Sequence, residues 1–92
     1  MEILPRDDGF KGSFYIKDNN DILAEMTYVW AGVEKIIIDH TDVSPVLKGQ
    51  GTGKKMLLKL VEFARGKGLK IIPLCPFTKS VFDKSKELND VL

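Results

Sequence analysis

Hydrophobic and polar positions alternate from residue 10 to residue 17, with Phe10, Phe14 and Ile16 set against Lys11, Ser13, Tyr15 and Lys17. A period of two is that of a half-buried strand. Asp18-Asn19-Asn20-Asp21 tolerates turn geometry and the strand pattern resumes from Ile22 to Trp30, which predicts an antiparallel hairpin. After a turn at Ala31-Gly32, Ile36-Ile37-Ile38 opens a third strand running to about Val43. Its β-branched density predicts burial on both faces and a place at the sheet centre.

From Gly51 to Arg65 the apolar period becomes helical, with Leu57, Leu60, Val61 and Ala64 on one stripe and Lys54, Lys55, Lys59 and Glu62 mostly elsewhere. Gly66 and Gly68 are expected to stop this helix. Leu69 to Cys75 reads as a further strand, and a short polar helix closes the chain. Strand, helix and strand make a right-handed crossover with parallel strands. The expected fold is therefore α/β (α+β): three antiparallel strands, a helix, a parallel strand and a short C-terminal helix. Pro73 cannot donate to a ladder, so a gap is expected beside it. Alternation puts His40 on the face of Ile36 and Ile38, and Cys75 on the face of Ile71 and Pro73. Both approach the strand ends where the loop Ser44 to Gln50 and the helix N-terminus lie, so one cleft is expected to hold them.

A chain of 92 residues that is 43% hydrophobic closes one core, which predicts a single domain over residues 1–92 and, in the simplest case, a monomer. The 14 basic and 13 acidic residues nearly cancel. A net charge of +1 gives no field suited to nucleic acid or membrane as main partner, so any anion must be bound locally. The one cysteine has no internal disulfide partner, and Met1 to Arg6 lacks the apolar stretch of a signal peptide, so a cytoplasmic location is expected. One histidine and one cysteine do not make an ordinary zinc site, and no metal is expected.

Lys48-Gly49-Gln50-Gly51-Thr52-Gly53-Lys54 lies between a strand and a helix. Glycines without Cβ atoms, free backbone N–H groups and the positive end of a helix together suit a phosphate. A P-loop is excluded because Lys48 stands where its first glycine is needed and Lys55 where its magnesium hydroxyl is needed. A dinucleotide fingerprint is excluded by Met56 at the third glycine and by Leu74-Cys75 in place of an acidic strand end.

Val43 followed by Lys48-Gly49-Gln50-Gly51-Thr52-Gly53 resembles the Q/R-x-x-G-x-G/A signature of the GNAT (N-acetyltransferase) superfamily, over roughly Ile36 to Asp83. His40-Thr41-Asp42-Val43 with Leu74-Cys75-Pro76-Phe77 is similar to the compact acetyl-CoA-binding GNAT-like subfamily of short bacterial proteins, over nearly the whole chain. The resemblance implies that acetyl-CoA is held by Val43, by Lys48, Gly49, Gln50, Gly51, Thr52, Gly53 and Lys54, and by Cys75, Pro76 and Phe77. Its pyrophosphate would lie on the amides of Gly49 to Lys54 and its pantetheine arm between the third strand and the Leu69 to Cys75 strand. The acetyl group would pass to an amine on a small molecule or protein.

Two positions depart from the family pattern. Lys48 stands where Arg or Gln is usual, exchanging a bidentate contact for a point charge. Phe82, in Val81-Phe82-Asp83-Lys84, stands where many GNAT enzymes carry the tyrosine that protonates the leaving thiolate. That leaves Cys75 to take the acetyl group as a thioester and His40 to accept its proton. The plainer readings are a small buried hydrophobe for Cys75 and a core histidine for His40. Three functions stay open: N-acetyltransferase, a non-catalytic module that binds or senses acetyl-CoA, and a small protein-interaction domain.

Overall fold

The computed structural model describes residues 2–92. Strand β1 (Leu4–Asp7) is followed by β2 (Lys11–Asp18), β3 (Asp21–Trp30) and β4 (Lys35–Val43), then helix α1 (Thr52–Lys67), strand β5 (Lys70–Pro73) and helix α2 (Pro76–Lys84). Short 3-10 turns follow β4 (Pro45–Leu47) and α2 (Lys86–Val91). The sheet order is β1-β2-β3-β4-β5; the first four strands run antiparallel and β5 runs parallel to β4.

The three antiparallel strands of the sequence pattern are present, with β1 added ahead of them. Pro5 lies in β1, and an edge strand tolerates a residue without an N–H. Asn19, at a φ of 55°, and Asn20 form the two-residue loop of the β2–β3 hairpin. Phe10 does not join the buried side of β2. It is 84% exposed in the turn where the Asp8 carboxylate accepts from the N–H groups of Phe10 and Lys11.

All the helices pack on one sheet face. Phe14, Ile16, Ala24, Met26, Tyr28, Ile36, Ile38 and Ile71 meet Met56, Leu57, Leu60, Val61 and Ala64 of α1, Phe82 of α2, and Leu88 and Val91 in a single core. Each fully buried aliphatic or aromatic side chain contributes roughly 1.5–3 kcal/mol relative to exposure. Ile37 points to the other face and is only half-buried, so β4 is not covered on both sides, and the central strand is β3. The isoleucine run marks an inner strand of a sheet with one covered face. Gly12 has no space for a Cβ, which would lie 2.4 Å from the Tyr28 hydroxyl. That close approach lets Tyr28 donate to Asp7 at 2.5 Å.

Helix α1 begins after Gly51 and ends at Gly68, both left-handed with φ of 67°. Gly66 stays inside the helix; Gly68 alone stops it, its N–H reaching the carbonyls of Ala64 and Arg65. Strand β5 is shorter than the pattern suggested. It ends at Pro73, and Cys75 is the N-cap of α2 with Pro76 at the first helical position.

Candidate functional site

The glycine-rich segment folds as a bend between the 3-10 turn and α1. Gly49 (φ 81°) and Gly51 (φ 67°) adopt conformations that disfavour any residue with a Cβ, and both face open space. Five amides here, those of Gly49, Gly51, Thr52, Gly53 and Lys54, make no main-chain hydrogen bond among the described residues. The sixth is engaged: Gln50 N–H donates to Leu47 O at 3.3 Å. The N-terminus of a 16-residue helix adds its partial positive charge to these amides. Lys48 and Lys54 are exposed beside them.

Gly53 has a second duty. A Cβ there would lie 2.7 Å from the Phe77 ring, so its absence lets the first turn of α1 meet the first turn of α2. This contact joins the glycine-rich bend to Cys75-Pro76-Phe77.

Beside that contact the sheet opens. Pairing of β4 with β5 ends at Ile38 and Pro73, and the N–H groups of Leu74 and Cys75 both donate to Ile38 O at 3.1 Å. Beyond Ile38, β4 remains paired only to β3. Ser44 N–H turns toward β3, donating to Leu23 O at 2.7 Å, so alternation directs the main-chain groups of Thr41 and Val43 toward the opening. The expected gap beside Pro73 is present. Val43 is half-buried on the core side of it, and the rim carries Leu74 (65% exposed) and Phe77 (40%).

His40 is not where strand alternation put it. The β3–β4 register shifts between Thr27 and Tyr28: Tyr28 pairs with Ile38 and Thr27 with His40, leaving Asp39 as the extra residue of a bulge. One extra residue reverses every side chain after it. His40 therefore leaves the face of Ile36 and Ile38 and is exposed on the opposite one, while Thr41 takes the inward place. Cys75 Sγ donates to Thr41 Oγ1 at 3.3 Å. The structure brings Cys75 to a threonine, not to the histidine.

Cys75 is 6% exposed and belongs to the core cluster. Burial alone pushes its thiol up. The Thr41 hydroxyl, the Thr78 and Phe77 N–H groups at the start of α2 and the Thr78 hydroxyl act the other way, and together hold it below the usual thiol range. Thr78, fully buried, also donates to Cys75 O at 3.0 Å. Sequence reasoning missed both threonines, although Pro76 signals a helix start and so places Thr78 in its first turn. Phe82 is 2% exposed on the core side of α2.

A concavity of about 270 Å³ lies elsewhere, on the uncovered sheet face. Near the glycine-rich bend there is a depression of about 50 Å³. Main-chain amides hold a phosphate through donors rather than through cavity volume. No group of three or more His, Cys, Asp or Glu among the described residues is arranged to hold a metal ion, and no helix is long and apolar enough to cross a membrane.

The family model described as GCN5-related N-acetyl-transferase matches residues 13–91. Among solved structures, a GCN5-like candidate N-acetyltransferase from Staphylococcus aureus is 43% identical, with a TM-score of 0.73 over 98% of this chain and 85% of that one. A ribosomal-protein-alanine N-acetyltransferase from Brucella melitensis biovar Abortus 2308 has a TM-score of 0.66 at 14% identity, over 85% of this chain and 62% of that one. AAC(6')-Iy, solved with the bisubstrate analog CoA-S-monomethyl-acetylneamine, has a TM-score of 0.56 at 11% identity, over 88% of this chain and 62% of that one. The last two share the fold, and the chain spans less than two thirds of either. No curated protein sequence matches.

Proposed function

The chain belongs to the GCN5-related N-acetyltransferase family, and on that premise we propose that it binds acetyl-CoA and transfers the acetyl group to an amine. One observation carries the reading: the five free amides of Gly49 and Gly51 to Lys54 and the opening between β4 and β5 lie side by side, joined by the Gly53–Phe77 contact. The amides suit a pyrophosphate, with Lys48 and Lys54 adding charge. The opening offers the main-chain groups of Thr41 and Val43 to the amides of a pantetheine arm, between apolar rims at Leu74 and Phe77.

Two transfer routes fit the residues. In the first, the amine attacks the thioester carbonyl carbon directly, the carbon–sulfur bond breaks, and CoA leaves as a thiol. In the second, Cys75 thiolate attacks first, giving an acetyl-cysteine and CoA thiolate, which takes a proton from solvent; the amine then bonds to the acetyl carbon, loses a proton to solvent and restores Cys75 thiolate. The lowered thiol and its threonine partner support the second route. His40, on the opposite face, is no proton acceptor for Cys75. The buried Phe82 favours one alternative, a module that binds acetyl-CoA without turnover, because no phenol protonates a leaving thiolate there.

The test is a two-dimensional amide NMR titration with acetyl-CoA, using CoA and ATP as comparators, followed by an amine screen. Saturable shifts at residues 49–54 and 74–77 are expected, with ATP weaker. No shifts there would sink the reading. Binding without acetyl release to any amine would favour the non-catalytic module. On the cysteine route, Cys75→Ala keeps acetyl-CoA binding and loses transfer by at least about tenfold.

A further inference from the structure

Because every helix packs on one face, the other face of β1–β4 is open, and one row of side chains crosses it: Arg6 pairs with Ser13, Ser13 with Thr27, and Thr27 with His40 beside the bulged Asp39. Arg6, Ser13, Thr27 and Asp39 line a concavity of about 270 Å³ together with Asp8, Lys11 and Glu25. At the middle of the row, Ser13 is 3% exposed and its hydroxyl has no hydrogen-bond partner among the described residues. A buried hydroxyl without a partner costs roughly 1–3 kcal/mol unless something bonds it. The ends of the row carry opposite charge. At the β4 end, Thr27 Oγ1 donates to Asp39 Oδ1 at 2.6 Å, leaving Oδ2 available, with Glu25 nearby. At the β1–β2 end the Arg6 guanidinium lies 4.5 Å from the centre of the Tyr15 ring, and neither Arg6 nor Lys11 makes a salt bridge among the described residues. Asp8 lines the same end, its Oδ1 accepting from the turn amides of Phe10 and Lys11, so the two cations there outnumber the one acid.

We propose that this groove binds the acceptor, and that the acceptor is a small zwitterion: a primary ammonium held at Asp39 and Glu25, hydroxyl contacts at Ser13 and Thr27, and a carboxylate at Arg6 and Lys11. The proposal rests on the acetyl-transfer reading above. Three strand spacings separate β1 from β4, about 14 Å. Side chains reaching inward from both ends leave room for a chain of a few carbons. Asp39 follows Ile38, the last β4 residue paired to β5, so the β4 end of the groove lies where the sheet begins to open. His40 is on the same open face. The bulge that removes it from Cys75 thus sets it beside the ammonium end. In the reaction the ammonium gives one proton to solvent and its nitrogen bonds to the acetyl carbon. The bond to sulfur breaks, the nitrogen gives a second proton, and sulfur takes one, leaving an N-acetyl acid and a thiol.

The experiment is an amide NMR titration of the full chain with ω-amino acids from glycine to 6-aminohexanoate, with butylamine and butyrate as singly charged controls. At least one zwitterion is expected to give saturable shifts at Ser13, Thr27 and Asp39. Binding should be at least tenfold weaker for both controls, and for Asp39→Asn and Arg6→Gln, two exposed positions whose replacement spares the core. Acetyl-CoA affinity should be unchanged in both variants. If acetyl-CoA binds at residues 49–54 but no zwitterion shifts the groove, this inference falls alone. Equal binding of butylamine and the zwitterions would also overturn it. If zwitterions bind while acetyl-CoA does not, the transfer reading falls, and with it the acceptor role.

Discussion

Strand β4 has two halves of different character. From Lys35 to Ile38 it is paired on both sides, its side chains alternate regularly, and Ile36 and Ile38 are fully buried. From Asp39 to Val43 it is bulged, paired on one side, and mostly exposed or half-buried. The first half is held by packing; the second exposes main-chain groups and polar side chains to both the opening and the groove. One strand thus supplies rigidity and chemistry, with the change at a single inserted residue.

The contrast is sharpest in stability. Ile38→Ala, in the packed half, should cost about 2–5 kcal/mol in chemical denaturation; a loss below 1 kcal/mol would mean that this half is not the anchor. Gly53→Ala should cost about 1 kcal/mol by pushing Phe77 aside, and the loss should shrink in a Phe77→Ala background. Additive losses would show that the two helix starts are not in contact.

In the open half, Thr41→Val should cost only about 0.5–1.5 kcal/mol, but should raise the pH midpoint of Cys75 alkylation, since the Thr41 hydroxyl helps hold the thiol low. A thiol lowered on folding adds stability that is fully present above its unfolded pKa and lost as pH falls through the folded one. Stability of the native chain should therefore rise across that alkaline window, less so in Thr41→Val. An unchanged midpoint would remove Thr41 as the partner. Smallest of all, His40→Ala should change stability by less than about 0.5 kcal/mol and leave the Cys75 midpoint where it was. A shifted midpoint would return His40 to the thiol's side of the sheet.

Much of the architecture was legible because it depends on local periodicity. The β2–β3 hairpin follows from alternation and two asparagines, α1 from its apolar stripe, and the gap from a proline without an N–H. What was not legible depends on partners. Pro5 masks β1, which is a strand only because β2 pairs with it. The bulge at Asp39 is a property of the β3–β4 register, not of any residue in His40-Thr41-Asp42, so counting by twos carried His40 to the wrong face. The glycine-rich bend was read from its own residues, yet Gly53 serves a helix–helix contact as well as openness. Cys75 was taken as the end of a strand, whereas Pro76 fixes it as the start of a helix.

The β4–β5 ladder is also the one strand pairing that spans a helix; every other pair is closed by a short turn. Chain entropy opposes that closure most, so the meander of β1–β4 is expected to form early and the β5 docking late. A chain still emerging from a ribosome would own its hairpins before it owned its cleft. Pulse-labelled hydrogen exchange should protect β2 and β3 ahead of β5; simultaneous protection would mean that cleft and meander form in one step.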